Sequence, residues 1–148
     1  MSFGVIAAAL AVGLGGIGAG IGEALIAIST MKGLLRNPEL QSKLMVCMIL
    51  FIALTESMAI YGLVIALQIA GNPIADEQPF TCLAAALAVG LPGITVSIAD
   101  GFLGRVSIEN ISKNGELHSK FLVMTILAMA LLESAAIYGF VIALNLLP

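Results

Sequence analysis

Two carboxylates in the middle of long apolar stretches are the residues of this sequence best suited to chemistry. Glu56 lies in the stretch Leu54–Gly62, and Glu133 lies in the matching stretch Leu131–Gly139. A charged side chain at the centre of a bilayer costs between about 2.5 and more than 10 kcal/mol, so an acid at that depth is a functional candidate by default. Because the two acids recur in the same local sequence, we interpret the rest of the chain as the scaffold that holds them.

The composition indicates an integral membrane protein. Of the 148 residues, 60% are hydrophobic and only 10% are charged, whereas soluble domains carry about 25% charged residues. Abundant alanine and glycine with few aromatic residues is typical of closely packed transmembrane helices. Cys47 and Cys82 fall in apolar segments and are predicted to be core residues. The first apolar stretch is too long for a signal-peptide core, so we expect a retained membrane helix.

Four apolar segments are each longer than the roughly 20 residues that a helix needs to cross a bilayer. They are Phe3–Met31, Leu44–Ala70, Phe80–Val106 and Phe121–Leu147. We therefore predict an all-α membrane protein of four transmembrane helices arranged as two hairpins. The first hairpin is expected over residues 1–71 and the second over residues 80–148, with an extracytoplasmic connection at 72–79.

The two hairpins are tandem repeats. A shift of 77 residues aligns Ala7–Leu14 with Ala84–Leu91 without a mismatch, and it aligns Ala59–Gly62 with Ala136–Gly139. No gap is needed from Phe3 to the end of the chain. A duplicated hairpin has an even number of spans per copy, so both copies must have the same orientation.

The basic residues predict that orientation, because they are enriched on the cytoplasmic side of membrane proteins. All six lie in or beside the first and third connections: Lys32, Arg36, Lys43, Arg105, Lys113 and Lys120. We expect these two loops to be cytoplasmic, with both termini and the middle connection on the opposite side.

Each hairpin is predicted to bring two acids to one depth, because residues equidistant from a turn lie level with each other. Glu23 and Glu56 are equidistant from the first turn, and Asp100 and Glu133 are equidistant from the third connection. Two like charges cannot both persist at close range in a low dielectric. One carboxyl of each pair must therefore be protonated, or the pair must be bridged by a cation.

Hydroxyl groups accompany both central acids. Ser57 and Ser134 follow the glutamates directly, and Tyr61 and Tyr138 lie five residues beyond them. Carboxylate, hydroxyl and carbonyl oxygens together suit a hard cation such as sodium. The alternative for the serines and tyrosines is helix packing and interfacial hydrogen bonding.

Glycines in the first helix predict close contact with another helix, because small-xxx-small spacing lets two backbones approach. The residues concerned are Gly16, Gly18, Gly20 and Gly22. The corresponding face of the third helix is bulkier, so the two hairpins are not expected to pack identically. A phosphate-binding glycine loop is excluded because it needs a strand–turn–helix context.

The chain resembles the proteolipid (c or K) subunit of rotary ATPases, of the F type or the V/A type, in its duplicated four-helix form. The motifs are the glycine-rich first helix, the loop Arg36-Asn37-Pro38-Glu39, and Glu56-Ser57 followed by Ile60-Tyr61-Gly62-Leu63-Val64. The resemblance covers essentially the whole chain. It implies a homo-oligomeric ring of hairpins that turns in the bilayer against a stator subunit.

The resemblance also implies a cargo and partners. Each mid-membrane glutamate is implied to bind Na⁺ or H⁺, to release it near an arginine of the stator and to reload from the other side. The loop residues Arg36, Asn37 and Pro38 are implied to contact the central stalk in the cytoplasm. The subunit itself is implied to be non-catalytic, in a bacterial plasma membrane, with no organic cofactor and no nucleic acid.

Individual roles follow from the matching positions. Glu56 and Glu133 match the ion-binding carboxylate, and Ser57 and Ser134 match the hydroxyl ligand of sodium-binding members. Leu54 and Leu131 match the residue whose backbone carbonyl is a ligand. Tyr61 and Tyr138 match the tyrosine that hydrogen-bonds the site. Glu23 and Asp100 match the first-helix position that is Gln or Glu in sodium-type rings.

The chain departs from the family pattern in ways that affect these expectations. Asp100 is shorter than the expected Gln or Glu, so its reach into the site is reduced. The second polar loop lacks the Arg-x-Pro signature, so one loop per chain is expected to make the usual stalk contact. Both carboxylates are kept, which predicts two ions per chain in each revolution.

Ser57, Ser134 and the second carboxyl of each pair favour sodium over the proton as the ion that the site binds. A proton-specific ring is the alternative. A small cation-coupled secondary transporter is a further alternative, which assembly size distinguishes because such a transporter is a monomer or dimer. A purely structural role in the membrane would not explain why four acids lie at matched depths.

Overall fold

A computed structural model describes residues 3–72 and 77–147, and these residues form four long helices and no strand. The helices are α1 (Phe3–Arg36), α2 (Gln41–Ala70), α3 (Pro79–Lys113) and α4 (His118–Leu146). Single 3₁₀ turns, Pro38–Leu40 and Gly115–Leu117, join the helices of each hairpin. All four helices are long and apolar enough to cross a membrane, which confirms the predicted all-α fold of two hairpins.

The helices extend beyond the predicted apolar segments. α1 ends at Arg36 rather than near residue 31, and α3 ends at Lys113 rather than near residue 106. Apolar residues mark the depth of the bilayer, whereas a helix continues into the interface until a turn intervenes, here at Pro38 and at Asn114. Residues 73–76 of the middle connection, together with residues 1, 2 and 148, lie outside the described residues, and the hairpin boundaries stay predictions.

The helices form two layers. α1 and α3 make the most extensive contact, α2 covers α1 and part of α3, and α4 packs mainly on α3. α2 and α4 touch each other much less. α1 and α3 therefore form an inner pair, and α2 and α4 lie side by side on one face of it.

Glycine makes the α1–α3 contact possible. A Cβ atom at Gly18 would lie 2.6 Å from the Cα atom of Ile94, and one at Gly22 would overlap the backbone of Ser97. On the facing helix, a Cβ at Gly101 would overlap the Cα of Gly22. The two backbones touch directly at these positions, as the small-residue spacing predicts.

The contact between the two helices of a hairpin is repeated in both halves. Gly62 of α2 lies against the carbonyl oxygen of Ala11, and Gly139 of α4 lies against that of Ala88. These pairs are related by the 77-residue shift. The sequence repeat is therefore also a repeat in helix packing.

The level of the acids is the thinnest part of the apolar core. One cluster, which includes Ala7 and Ile65, fills the end near the termini, and another, which includes Phe51 and Ile108, fills the loop end. Between them lies only a small cluster of Met58, Val96 and Ala136. This is the level at which the polar side chains enter the bundle.

The two polar loops are joined to each other. The side-chain amide of Asn37 donates to the carbonyl oxygen of Ser112, and the ammonium group of Lys43 donates to that of Gly115 at 3.1 Å. The side chain of Leu40 packs directly on Gly115. These contacts fix the loop ends of the two hairpins relative to each other.

The paired Gly62 and Gly139 contacts predict matched losses of stability. We expect Gly62→Ala and Gly139→Ala each to lower the free energy of unfolding in detergent by about 1–3 kcal/mol, the usual cost of overpacking. Thermal unfolding followed by circular dichroism measures the effect.

Gly13→Ala is the control for these variants, because no atom lies within 4 Å of a Cβ at that position. This change is expected to be neutral or slightly stabilising, since alanine favours a helix over glycine by roughly 0.5–1 kcal/mol. Equal unfolding temperatures for all three variants would contradict close packing at Gly62 and Gly139.

Candidate ion-binding site

Asp100 is an acidic residue that is fully enclosed in the bundle. It lies on α3 with 0% exposure, and neither of its carboxylate oxygens has a hydrogen-bond partner. A buried carboxylate without a partner is stable only if a proton or a cation neutralises it. Asp100 therefore marks a place where the bundle needs a positive charge.

Glu133 of α4 faces the same place. It is half-buried, and it is close enough to Asp100 for the two carboxyl groups to interact electrostatically. The structure thus brings together the two acids that are equidistant from the third connection. Ionisation of one of these carboxyls therefore disfavours ionisation of the other.

A hydroxyl group of the other hairpin lies beside Glu133. Ser57 Oγ of α2 lies 3.3 Å from Glu133 Oε1 and 2.6 Å from the carbonyl oxygen of Leu54. A hydroxyl has one proton, so it can be donated to only one of these oxygens at a time. The shorter distance favours donation to Leu54, which leaves a hydroxyl lone pair available on the side of Glu133.

Two further contacts hold the hairpins together around this group. Ser97 Oγ, one helical turn before Asp100, donates to the carbonyl oxygen of Thr55 at 3.3 Å. The ring of Tyr61 stacks on that of Phe140, with 5.0 Å between centroids and 26° between planes. Ser97, Thr55 and Phe140 were not among the predicted site residues. Ser97 could have been found from its position on the same helix face as Asp100.

The corresponding residues of the other repeat do not form such a group within one chain. Glu56 is exposed and Glu23 is half-buried, although the two are close enough to interact electrostatically. Ser134 Oγ donates to the carbonyl oxygen of Leu131 at 2.7 Å, in the same geometry as Ser57 and Leu54. No residue of 3–72 or 77–147 forms a hydrogen bond with Glu56.

The remaining predicted residues divide between inward and outward positions. Gly18 and Gly22 contact α3, whereas Gly16 and Gly20 have no atom within 4 Å of a Cβ position. In the first polar loop Arg36 and Pro38 are exposed, and Asn37 instead ties that loop to the other hairpin.

The acids of the described helices interact in pairs, Glu23 with Glu56 and Asp100 with Glu133. In the described part of the chain, no group of three or more His, Cys, Asp or Glu side chains could hold a metal ion. A divalent cation such as calcium prefers six to eight oxygen ligands with several carboxylates.

Comparison with known proteins identifies the family. The family model for the c subunit of ATP synthase matches residues 6–69 and again residues 83–146. The chain belongs to the ATP synthase c-subunit family. Relatives that bear this name in Bacillus thuringiensis (strain Al Hakam), Bacillus cytotoxicus and Bacillus cereus (strain B4264) are each 52% identical over 66 residues. These residues are 92% of each relative and 45% of this chain.

Membership of the ATP synthase c-subunit family assigns the general role. The chain is a proteolipid, a non-catalytic rotor subunit that translocates ions. Its two family matches fall on the two hairpins, so one chain carries two copies of the unit that each Bacillus relative carries once.

The environment of Asp100 predicts an unusual response to neutralisation. We expect Asp100→Asn to keep or raise the free energy of unfolding at neutral pH, by on the order of 1 kcal/mol, because it removes the need to neutralise a buried carboxyl. The asparagine side chain is neutral, so it needs neither a proton nor a cation at this position. Thermal unfolding in detergent without added sodium measures the change.

Glu23→Gln is the matched control, since it makes the same change at the repeat-related, half-buried position. It is expected to change the unfolding temperature less than Asp100→Asn does. A clear loss of stability in Asp100→Asn alone would show that the ionised Asp100 carboxylate is satisfied rather than unpartnered.

Proposed function

We propose that Glu56 and Glu133 carry the coupling ion of an ATP synthase rotor ring, and that this ion is Na⁺. Ion movement through the ring is thereby coupled to rotation and to ATP synthesis or hydrolysis. The observation that supports the site most directly is the group of Glu133, Asp100 and Ser57. It joins two carboxyls, a hydroxyl and a carbonyl oxygen at mid-bundle depth.

The donor set supports sodium. The Ser57 hydroxyl is held by the Leu54 carbonyl, so a lone pair and two carboxylates can converge on one cation. Oxygen-only ligands of this kind suit hard cations. A cation between Asp100 and Glu133 also removes their mutual repulsion without requiring two protons.

The same contact supports a second candidate cargo, the proton. A protonated Glu133 can donate to Ser57 Oγ across the 3.3 Å that separates them. In that case the second carboxyl serves to hold a proton rather than a metal ion. Chemical labelling of the carboxyls distinguishes the two cargoes.

The rest of the machine is proposed from the family and the surface. We infer that an arginine of the stator subunit releases the ion from each glutamate by pairing with the carboxylate. The exposed Arg36 and Pro38 of the first polar loop are available to the central stalk. The six basic residues near the two polar loops support a cytoplasmic position for these loops.

Carbodiimide labelling of the assembled ring tests the cargo. The reagent modifies protonated carboxyls in apolar surroundings, so a bound sodium ion protects the carboxyl that it occupies. We expect sodium at constant pH to protect Glu56 and Glu133, with the modified residues identified by mass spectrometry. Potassium at the same ionic strength is the control and is expected to give no protection.

In the double variant Ser57→Ala, Ser134→Ala, we expect half-maximal protection from labelling to require a sodium concentration about tenfold higher than in the wild type. A hydrogen bond or ligand of this kind contributes roughly 1.5 kcal/mol when a charge is involved. Labelling that follows pH alone, with no effect of sodium, would identify a proton ring. No labelling of either glutamate would contradict the proposed site.

A further inference from the structure

A cavity opens between α1 and α3 near the two polar loops. It has a volume of about 220 Å³, which is larger than the roughly 150 Å³ in which an engineered apolar cavity holds a benzene molecule. The space can therefore hold a group of several heavy atoms. Its lining consists of Leu25, Ile28, Ser29 and Lys32 of α1 with Arg105 and Glu109 of α3.

The surroundings of this cavity are positively charged. Lys32 and Arg105 line it, and Arg36 and Lys113 are close enough to Glu109 to interact with it electrostatically. Four basic side chains thus lie near one carboxylate. The excess of positive charge favours an anionic ligand.

The two cations in the lining have hydrogen-bond donors to spare. In the described part of the chain, Lys32 forms no hydrogen bond or ion pair. Arg105 Nε donates to Glu109 Oε1 at 2.9 Å, which leaves the N–H groups on the two terminal nitrogens of the guanidinium. The hydroxyl proton of Ser29 is already donated to the carbonyl oxygen of Ile26 at 2.9 Å. The remaining donors therefore belong to the two cations, which suits the acceptor oxygens of a phosphate group.

The sequence places these cations at the edge of the hydrocarbon core. Lys32 directly follows Met31, where the first predicted apolar segment ends, and Arg105 directly precedes Val106, where the third ends. Lysine and arginine at this depth extend their charged groups to the level of the lipid headgroups. The cavity is therefore within reach of a lipid phosphate.

Exposed apolar side chains continue from the cavity toward the centre of the bilayer. Ile28 precedes Lys32 by one turn of α1, and Phe102 precedes Arg105 by one turn of α3. Ile28 is 45% exposed and Phe102 is 53% exposed. An amphiphile can place its anionic head in the cavity and its acyl chains along these residues, whereas a free phosphate uses only the basic part.

We propose that this cavity, which we call the headgroup site, binds the phosphate group of an anionic phospholipid. Lys32 and Arg105 donate to the phosphate oxygens, and Arg36 and Lys113 add attraction at longer range. Basic pockets between transmembrane helices are suited to such headgroups. The inference does not depend on which ion the glutamates carry, so its failure would leave the proposed function untouched.

Glu109 has two opposing effects in the headgroup site. Its bond to Arg105 Nε holds the guanidinium at the cavity. Its negative charge at the same time repels an anionic ligand. Because an electrostatic repulsion of this kind acts only on the ligand, a neutral residue at position 109 is expected to strengthen lipid binding.

The two repeats differ at the headgroup site. The 77-residue shift relates Lys32 to Glu109 and Arg105 to Ile28. The repeat thus has an acid and an apolar residue where the cavity has its two cations. These cations come together only through the contact of α1 with α3 in the folded chain, so the sequence of one hairpin does not predict the site.

Quenching of a single tryptophan by brominated lipids tests the headgroup site. The chain has no tryptophan, and Phe102→Trp introduces one beside the cavity without changing its lining. The assembled ring is reconstituted in phosphatidylcholine vesicles that contain a minor fraction of phosphatidylglycerol with brominated acyl chains. Brominated phosphatidylcholine is the comparison. We expect phosphatidylglycerol to quench at a lower fraction, because its phosphate charge is not cancelled by a choline group.

Substitutions of the charged lining are expected to change this preference in opposite directions. Lys32→Gln and Arg105→Gln should each lower the preference for phosphatidylglycerol by about fivefold, the effect of one basic residue near anionic lipid. Glu109→Gln should raise it. Lys120→Gln is the matched control, because it removes the same charge from an exposed position at the same end of the bundle, and it should leave the preference unchanged.

Native mass spectrometry of the wild-type ring, without the tryptophan, provides a second measurement. We expect phosphatidylglycerol to remain bound after washing with detergent in the wild type and in Lys120→Gln, and to be lost in Lys32→Gln. Inorganic phosphate, compared with chloride at the same ionic strength, is expected not to displace the lipid, because it lacks acyl chains.

Four results would contradict the inference. Equal quenching by the two brominated lipids would show no anionic headgroup site. Equal losses in Lys32→Gln and Lys120→Gln would show diffuse attraction to a charged surface instead of a site. Displacement by inorganic phosphate would show that the cavity binds a free anion. Loss of the preference in the complete ATP synthase would assign the cavity to an acidic segment of a partner subunit and not to a lipid.

Discussion

A carboxyl group inside a bilayer must be neutralised, and this constraint governs the structure. Asp100 is fully buried with both oxygens unpartnered, and Glu133 faces it. Such a pair is stable only with a proton or a cation in place. The energetic cost that makes acids rare in membranes also suits an enclosed carboxyl to binding an ion, because the charged carboxylate is unstable there until a proton or a cation binds.

Bringing the acids to this position depends on the smallest residues. The backbones of α1 and α3 touch at Gly18, Gly22 and Gly101, and α2 and α4 lie over this inner pair. The joined loops at Asn37 and Ser112 fix the loop end of the bundle. The apolar clusters fill the bundle on either side of the acids, so a small polar group can be accommodated between them. Membership of the ATP synthase c-subunit family assigns this arrangement to an ion-translocating rotor.

Much of the fold could be predicted from the sequence because it depends on local and periodic features. The four helices follow from the length of the apolar segments, and the pairing of Asp100 with Glu133 follows from their equal distance from a turn. The ends of α1 and α3 could not be placed in this way, since apolarity reports the bilayer and not the end of a helix. The position of Asn37 between the loops could not be predicted from the sequence either, because it depends on the contact of two hairpins that are distant in sequence.

The sequence also could not predict that the site combines residues of both hairpins. Ser57 follows Glu56 in the chain, yet its hydroxyl lies beside Glu133. Adjacent helical residues point about 100° apart, so a serine next to a glutamate presents its side chain to a different neighbour. The same reasoning separates Gly16 and Gly20, which are exposed, from Gly18 and Gly22, which contact α3. Sequence spacing identifies the residue types, but only the packing shows which of them meet.

The most direct test of the account is ion transport by the complete ATP synthase in liposomes with single neutral substitutions in the rotor. If Glu56 and Glu133 both carry the coupling ion, Glu56→Gln and Glu133→Gln will each abolish ATP-driven ion uptake, because every site of the ring must pass the stator in turn. The isolated nucleotide-hydrolysing part of each variant complex will retain its activity. Uptake at the wild-type rate in either variant would contradict the claim that both glutamates carry the ion.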